Sequence, residues 1–593
     1  MSTLVAPFLT SLVASIAATL GCERLGRRAR LVTQPREDRW HRDPVPLLGG
    51  VAIMAGVLTA VTTVPGAVAR FGPFVAAALV MGLIGLFDDI RPLRPQAKLV
   101  AQIVLAAALM KVGFLLRLTA SPLLNVFLTL FWIVGITNAF NLLDNMDGLA
   151  GGLAVIAAGF RLAFFLMDGD RAGAQLTAVF MGAVAGFLVR NLPPARIFMG
   201  DAGSLFLGFF LSGLCLVSDY SAYSRGIVAV LVLPVLLMLI PIFDTTFVTL
   251  TRLITGRPVS RGGRDHTSHR LVGLGITERQ ALALLATVSV LSGLLAVLSY
   301  RYGFTYTVVL LALLLIGLCL LGAHLSRVQV VASDASRADG PIVRLVADFP
   351  FKRHVATVSI DLVLIVVAYY AAYLLRFELD FEQHREAFLG TVAPVIVLQI
   401  SSLALFGSYR GLWQYTSLPD LLRLVQGATT GVAATLLYFV FVTGLAGLSR
   451  AVFVLDWLLL VVLLGASRVS SRLLGEMLHP ARDDFRRVLI YGAGDGGELM
   501  LRELRKNPAL RRQPVGFLDD DRSKVGTRIH EVPVLGGLDR AEDLLATHRV
   551  VEVIVASSKI PGDRLRALEA LCSARGVSVI RGALRLESAG GFP

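Results

Sequence analysis

Apolar runs of about 20 residues, the length that carries a helix across a bilayer core, recur along most of this chain. Eleven lie near residues 4–20, 47–65, 72–87, 99–117, 122–138, 148–167, 175–191, 204–218, 226–243, 280–299 and 303–322. A polar segment follows at 327–348, then four more apolar runs near 355–376, 390–407, 423–446 and 451–467. The pattern predicts about fifteen membrane helices. From about residue 468 the chain turns hydrophilic. Short strand-like runs at 487–491, 515–518, 532–535, 551–556 and 577–580 there alternate with helix-like stretches such as 498–506. That alternation predicts a parallel α/β unit. The expected fold class is a polytopic α-helical membrane protein of about 15 transmembrane helices with a C-terminal cytosolic α/β domain. The expected divisions are an eleven-span part at 1–326, a cytosolic linker at 327–348, a four-span anchor at 349–480 and the α/β domain at 481–593.

Composition agrees with a membrane protein: 55% of the 593 residues are hydrophobic and the mean hydropathy is +0.71. The first run has no basic segment before it, so it is read as a span and not as a cleaved signal peptide. The net charge of +14 needs no nucleic acid, because cytoplasmic loops of membrane proteins carry surplus Lys and Arg. The first loop holds Arg24, Arg27, Arg28, Arg30, Arg36, Arg39 and Arg42 and is therefore expected inside. Alternation then puts the segments 88–98, 138–147, 190–204 and 252–279 on that same side, and the tail with them. The four cysteines, Cys22, Cys215, Cys319 and Cys572, have no metal-ligand spacing and suggest no disulfide framework.

The polar residues at the ends of the runs carry the chemistry. Asn138, Asn141, Asp144 and Asp147 recur every third position directly after an apolar run, so at helical pitch they are near neighbours on one side. Asp88 and Asp89 end the third run, and Asp201 precedes the eighth. Carboxylates at membrane depth are costly and mark sites. The loop at 261–270 packs Arg261, Arg264, His266, His269 and Arg270 into ten residues, a composition suited to a diphosphate. Acids, amides and a basic loop at one membrane face suggest Mg²⁺, phosphates and a lipid-borne substrate. Bland readings compete: Asp201 as a helix N-cap, Lys98 as a snorkelling lysine, Phe198 as an interfacial aromatic.

Five motifs in order, Pro44 to Gly50, Phe87-Asp88-Asp89, Asn138 to Gly148, Phe198 to Ser204, and Asp265 to Arg270, resemble those of the polyprenyl-phosphate N-acetylhexosamine-1-phosphate transferases. The resemblance covers roughly residues 1–325. It implies an Mg²⁺-dependent enzyme that moves HexNAc-1-phosphate, GlcNAc-1-phosphate first among them, from a UDP-sugar to undecaprenyl phosphate. The products are UMP and a lipid diphosphate sugar that starts a cell-envelope polysaccharide. By the same resemblance Asp201 is the main metal ligand with Asn141 the second. Asp88, Asp89, Lys98 and Asp147 are catalytic, with Asp88 a base or a phosphate-orienting group. Asp144 reads the uracil edge, Phe198 stacks on the ring, and Arg42, Asn138, Arg264, His266, His269 and Arg270 complete the substrate site. The peptidoglycan branch carries three consecutive His where this chain has Asp-His-Thr-Ser-His-Arg, which argues for a plain UDP-HexNAc over a MurNAc-pentapeptide. Another UDP-sugar, or a non-catalytic lipid-phosphate carrier, is the alternative. The implied setting is the bacterial inner membrane, multi-pass, with the active site cytosolic and a homodimer as the assembly.

Residues 345–585 resemble a different family, the front part of membrane-anchored nucleotide-sugar 4,6-dehydratases. The matching pieces are Ser408 to Trp413, Tyr491 to Gly497, Pro514 to Asp521 and Val532 to Gly536. The dehydratase step needs a Tyr-x-x-x-Lys pair downstream, and no tyrosine follows Tyr491. Dehydratase chemistry is thereby excluded. The Gly492, Gly494, Gly497 loop with Asp519 farther on has the spacing of a Rossmann-like dinucleotide turn, so a nucleotide or NAD-like ligand is one expectation and a bare dimerisation module the other.

Overall fold

The computed structural model describes residues 2–33, 44–217, 227–255, 263, 265–326, 352–378, 380–409, 418–445, 447–477, 485–506, 510–530, 532–557 and 560–582. It falls into two compact units, Met1–His479 and Pro480–Pro593.

The first unit is helical. After α1 (Ser2–Arg28) a two-stranded ladder, β1 (Val32–Thr33) with β2 (Val45–Pro46), leads into α2 (Gly49–Val61), α3 (Pro65–Ile90) and α4 (Pro95–Lys111). Then come α5 (Pro122–Leu143), α6 (Leu149–Met167), α7 (Arg171–Asn191) and α8 (Gly200–Leu214). Next are α9 (Ile227–Leu237), α10 (Leu239–Thr255), α11 (Thr267–Gly273), α12 (Glu278–Tyr302) and α13 (Phe304–Leu325). Four more helices follow: α14 (Lys352–Arg376), α15 (Arg385–Leu405), α16 (Leu418–Thr443) and α17 (Arg450–Met477).

Each of the fifteen apolar runs coincides with helix, but not every helix is a full span. Among the described residues 11 helices are long and apolar enough to cross a membrane, or up to 12 if α9 and α10, bent by 82° at their junction, count as one span. The others, α2, α4 and α8, have 13, 17 and 15 residues. At 1.5 Å per residue each falls short of a hydrocarbon core of about 30 Å. Hydropathy cannot tell a lipid-facing helix from one enclosed by protein. α8 is the second kind, buried at every position except Asp201.

Small residues set the close packing. Ser11 and Ser15 of α1 donate through Oγ to the carbonyls of Val179 and Ala183 on α7, both at 2.6 Å. A Cβ on Gly182 would stand 2.3 Å from the carbonyl oxygen of Phe8. In lipid, where apolar contact between helices gains little over apolar contact with acyl chains, such backbone approach and hydrogen bonding hold helices together. In the later helices Tyr369, Tyr373, Phe388 and Phe453 form an aromatic core. A buried bidentate pair joins Arg468 of α17 to Asp361 of α14 at 2.7 and 3.0 Å.

The second unit is a six-stranded sheet of β3 (Arg486–Tyr491), β4 (Arg512–Leu518), β5 (Arg528–Ile529), β6 (Val532–Gly536), β7 (Glu552–Val555) and β8 (Ser578–Arg581). Its helices are α18 (Asp495–Lys506), α19 (Ala541–Thr547) and α20 (Gly562–Ala574). The strand order is β5-β6-β4-β3-β7-β8, parallel except for the β5 edge. Successive residues of β3 alternate between two cores, Val488 and Ile490 in one, Leu489 and Tyr491 in the other. A sheet covered on both faces needs that pattern. The first strand lies centrally, and the order reverses beside it at the Gly-rich turn, the usual ligand crevice of doubly wound sheets.

Candidate functional site

Side chains from α3, α4, α5 and α8 meet at one point. Lys98 of α4 donates from Nζ to Asp88 of α3 at 2.8 Å and to Asp201 of α8 at 3.0 Å. The other Asp201 oxygen accepts from Asn141 Nδ2 of α5 at 3.0 Å, and that amide also reaches Ser204 Oγ at 2.9 Å. Asp88 closes the α3–α4 turn as well, accepting from the Leu93 N–H at 2.5 Å. Asn138, one turn before Asn141, pairs with the Gln102 amide at 2.8 and 3.2 Å and so ties α5 to α4.

Asp89 takes the capping role that the sequence offered to Asp201. Its two oxygens accept the backbone N–H groups of Asp201 and Ala202 at 2.9 and 3.0 Å. A carboxylate there satisfies orphan donors of α8 and opposes the helix dipole. With α8 capped from α3, the Asp201 side chain faces Lys98 and Asn141. Asp89 thus positions the site through the backbone of α8.

Glycines permit this approach. A Cβ on Gly85 would lie 2.3 Å from the Asp201 carbonyl oxygen, and one on Gly50 2.2 Å from the Gly203 nitrogen. Gly200 has φ +67, with Asp89 packed against it. The Pro44 to Gly50 segment runs alongside, Phe198 N–H donating to the Pro46 carbonyl at 2.8 Å and Gly49 N–H to that of Phe198 at 2.9 Å. Gly85→Leu is therefore expected to force α3 from α8 and separate Asp88 from Asp201. Overpacking costs about 1–3 kcal/mol of stability, and a misplacement near 1 Å costs roughly 10²-fold in rate. A melting curve and a turnover assay on the variant check both; unchanged turnover would contradict the packing argument.

The end of α5 continues the site. Asp144 is half-buried at its C-terminus, and Asn145 accepts the Ser268 hydroxyl at 2.5 Å, joining α5 to α11. Asp147 is buried and accepts the Ala195 N–H at 2.8 Å, which places it as an anchor for the segment before Phe198. Asn191 helps it, accepting from Gly148 N–H and donating to the Ile197 carbonyl.

The basic loop is folded into the protein. Residues Asp265 to Arg270 are each at most 6% exposed. Asp244 of α10 accepts from His266 Nδ1 at 2.8 Å and from the Thr267 N–H at 2.7 Å. Arg252 grips Asp265 with two bonds of 2.6 and 2.7 Å. Burial opposes the charge on Asp265, yet the Arg252 guanidinium outweighs it and holds the carboxyl below its usual range. Arg270 donates to the carbonyls of Asp265 and Leu325 at 2.8 and 2.9 Å, so it braces the loop against α13. Arg42 and Arg264 lie outside the described residues. Sequence reasoning missed Asp244, Asn145, Ser204 and Ser268. Only Asp244 left a signal, an acid directly after the apolar run at 226–243.

Beside the cluster a groove of about 660 Å³ runs between α3 and α4. Val80, Ile84, Val100, Val104 and Leu105 line it, with Arg94 and Gln96 at the turn that Asp88 and Lys98 flank.

A family model described as glycosyl transferase family 4 matches residues 72–219. The probable undecaprenyl-phosphate N-acetylglucosaminyl 1-phosphate transferase of Bacillus subtilis is 32% identical over 308 residues, 50% of this chain and 85% of that protein. The chain belongs to glycosyl transferase family 4. Within the family, the decaprenyl-phosphate N-acetylglucosaminephosphotransferase of Mycolicibacterium smegmatis is 32% identical over 47% of this chain and 77% of its own length. The undecaprenyl-phosphate alpha-N-acetylglucosaminyl 1-phosphate transferase of Yersinia pestis is 28% identical over 54% and 92%. A second model, described as a CoA-binding domain, matches residues 404–581. That stretch falls within the part that resembles the dehydratase front end.

In the second unit Gly492 has φ +108, and a Cβ on Gly497 would stand 1.9 Å from the Gly492 carbonyl oxygen. The turn thus needs its first and third glycines. Asp519 accepts from Ala493 N–H at 2.7 Å, Lys524 Nζ at 3.0 Å and Asp521 N–H at 2.9 Å. Burial works against its charge, but these donors hold its carboxyl below the usual range.

Proposed function

We propose that the first unit transfers N-acetylglucosamine 1-phosphate from UDP-GlcNAc to undecaprenyl phosphate on the cytosolic face of the bacterial inner membrane, releasing UMP. The observation that carries this is the convergence of Asp88, Lys98, Asn141 and Asp201 from four helices, beside an apolar groove, in a chain whose relatives are named for this transfer.

In this reading the residues divide the roles as follows. The polyprenyl chain lies along the α3–α4 groove with its phosphate at Lys98, whose ammonium has a third donor beyond Asp88 and Asp201. A lipid phosphate monoester has a second pKa of about 6 and is largely ionised at neutral pH, so Asp88 orients it and holds Lys98 more than it removes a proton. A phosphate oxygen of the lipid attacks the β-phosphorus of the UDP-sugar. The bond from that phosphorus to the bridging oxygen breaks, and the electron pair leaves with UMP. Asp144 and Phe198 face the uridine, and His266 and His269 face the diphosphate, with Asp244, Arg252 and Arg270 fixing their loop.

The donor set fits Mg²⁺. Among the described residues no group of three His, Cys, Asp or Glu converges on a metal position, but Mg²⁺ takes one or two carboxylates and keeps water and phosphate oxygens. Asp201 with Asn141 would hold it, and when bound it offsets the repulsion between two phosphates.

Residues 1–326 carry this chemistry in our reading, and the four later helices anchor the second unit. The second unit takes a nucleotide-bearing ligand at the Gly492 turn and adds no chemical step, and the protein works as a homodimer. The test is UMP release by the purified protein against a panel of UDP-sugars. Fastest release with UDP-GlcNAc supports the reading, and preference for UDP-MurNAc-pentapeptide overturns the sugar assignment.

A further inference from the structure

A cavity of about 1040 Å³ lies where the α12–α13 turn meets α14 and α15. Its place in the fold separates it from the transfer site. α12 begins beside α11 and runs 25 residues, about 37 Å at 1.5 Å per residue, before the turn at Gly303. α13 then returns to bring the Leu325 carbonyl to Arg270. The cavity therefore opens at the membrane edge opposite Asp88 and Asp201.

Its walls differ from its rim. Val308, Val309 and Ala312 of α13 face Val366 and Val367 of α14, with buried Phe388 of α15 below. At the rim the exposed charges are Arg301, Arg385 and Glu382, a surplus of one positive charge. Arg301 and Arg385 make no ion pair among the described residues. Tyr370 Oη donates to the Thr305 carbonyl at 2.9 Å and closes one side. The volume is at the upper end of small-molecule sites, about 300–1,000 Å³.

We propose that this cavity binds a membrane phospholipid with an anionic headgroup, its phosphate between Arg301 and Arg385 and an acyl chain along the valines of α13 and α14. The apolar walls at bilayer depth select a lipid over a soluble anion. Two guanidiniums on one rim suit a phosphate. The net positive rim selects an anionic headgroup over a zwitterionic one. The lipid then forms part of the seam between the transferase helices and the four that follow them.

Native mass spectrometry of the delipidated full-length protein tests this, with phosphatidylglycerol, phosphatidylethanolamine or glycerol 3-phosphate added. The expected result is one retained phosphatidylglycerol, weaker phosphatidylethanolamine, and no retained glycerol 3-phosphate. The double variant Arg301→Gln, Arg385→Gln is expected to lose roughly 25-fold in phosphatidylglycerol affinity, at about fivefold per arginine near an anionic lipid surface. Ala312→Trp, which intrudes on the apolar wall where an acyl chain would lie and leaves both arginines, is expected to weaken retention. Melting midpoints without lipid check that each variant is folded. Folded variants that retain phosphatidylglycerol as the parent does overturn the proposal. Glycerol 3-phosphate bound as tightly as the lipid also overturns it, by showing an anion site that makes no use of the apolar walls.

Discussion

Asp201→Asn is expected to lower kcat/KM by about 10³-fold while leaving the fold intact, because several kcal/mol of charge stabilisation at the diphosphate depend on that carboxylate. The variant keeps the volume of the side chain and a polar contact for Lys98 and Asn141, which now stand at 3.0 Å from it. Its N–H still caps against Asp89. The same substitution at Asp89 reads differently, since there it weakens the cap that aims Asp201. Turnover and a melting curve measured on both variants separate the two roles. Near-normal Mg²⁺-dependent turnover by Asp201→Asn would show that the metal assignment is wrong.

Asp244→Asn is expected to raise the KM for the UDP-sugar by about 10–100-fold with a smaller change in kcat, by analogy with the loss of a carboxylate that orients a metal-bound histidine. In the parent the carboxylate accepts from His266 Nδ1, which leaves Nε2 as the nitrogen for the diphosphate in the proposed reading. An amide nitrogen at that position would donate to Nδ1 and move the ring proton to Nε2. Steady-state kinetics of the folded variant decide this. An unchanged KM would mean that His266 serves the fold alone.

The parts of this structure that were legible in the sequence are those whose signal is local. Every apolar run became helix, and the five strands expected in the tail appear in β3, β4, β6, β7 and β8. The number of full spans was not legible, because burial in protein and burial in lipid select the same residues. α8 shows this, apolar throughout and enclosed on all sides. Asp88, Asn141 and Asp201 stood out as polar groups at the ends of apolar runs, and they do converge. Their division of labour with Asp89 is set by tertiary contacts 112 and 113 residues apart, which no local pattern encodes. The loop at 261–270 read as a diphosphate clamp from its cations and histidines. The groups that hold its described part in place, Asp244 and Arg252 of α10 and the Leu325 carbonyl of α13, were not legible. Asp147 likewise looked like one more acid in a periodic row, yet it bonds the Ala195 N–H, 48 positions on.

The stoichiometry and identity of the nucleotide released test the central claim most directly. Purified full-length protein is given undecaprenyl phosphate, UDP-GlcNAc and Mg²⁺, and lipid product and nucleotide are counted together. The account predicts UMP and undecaprenyl-diphosphate-GlcNAc in equal amounts, since the bond broken joins the two phosphates. Release of UDP with a sugar on a single lipid phosphate would contradict it.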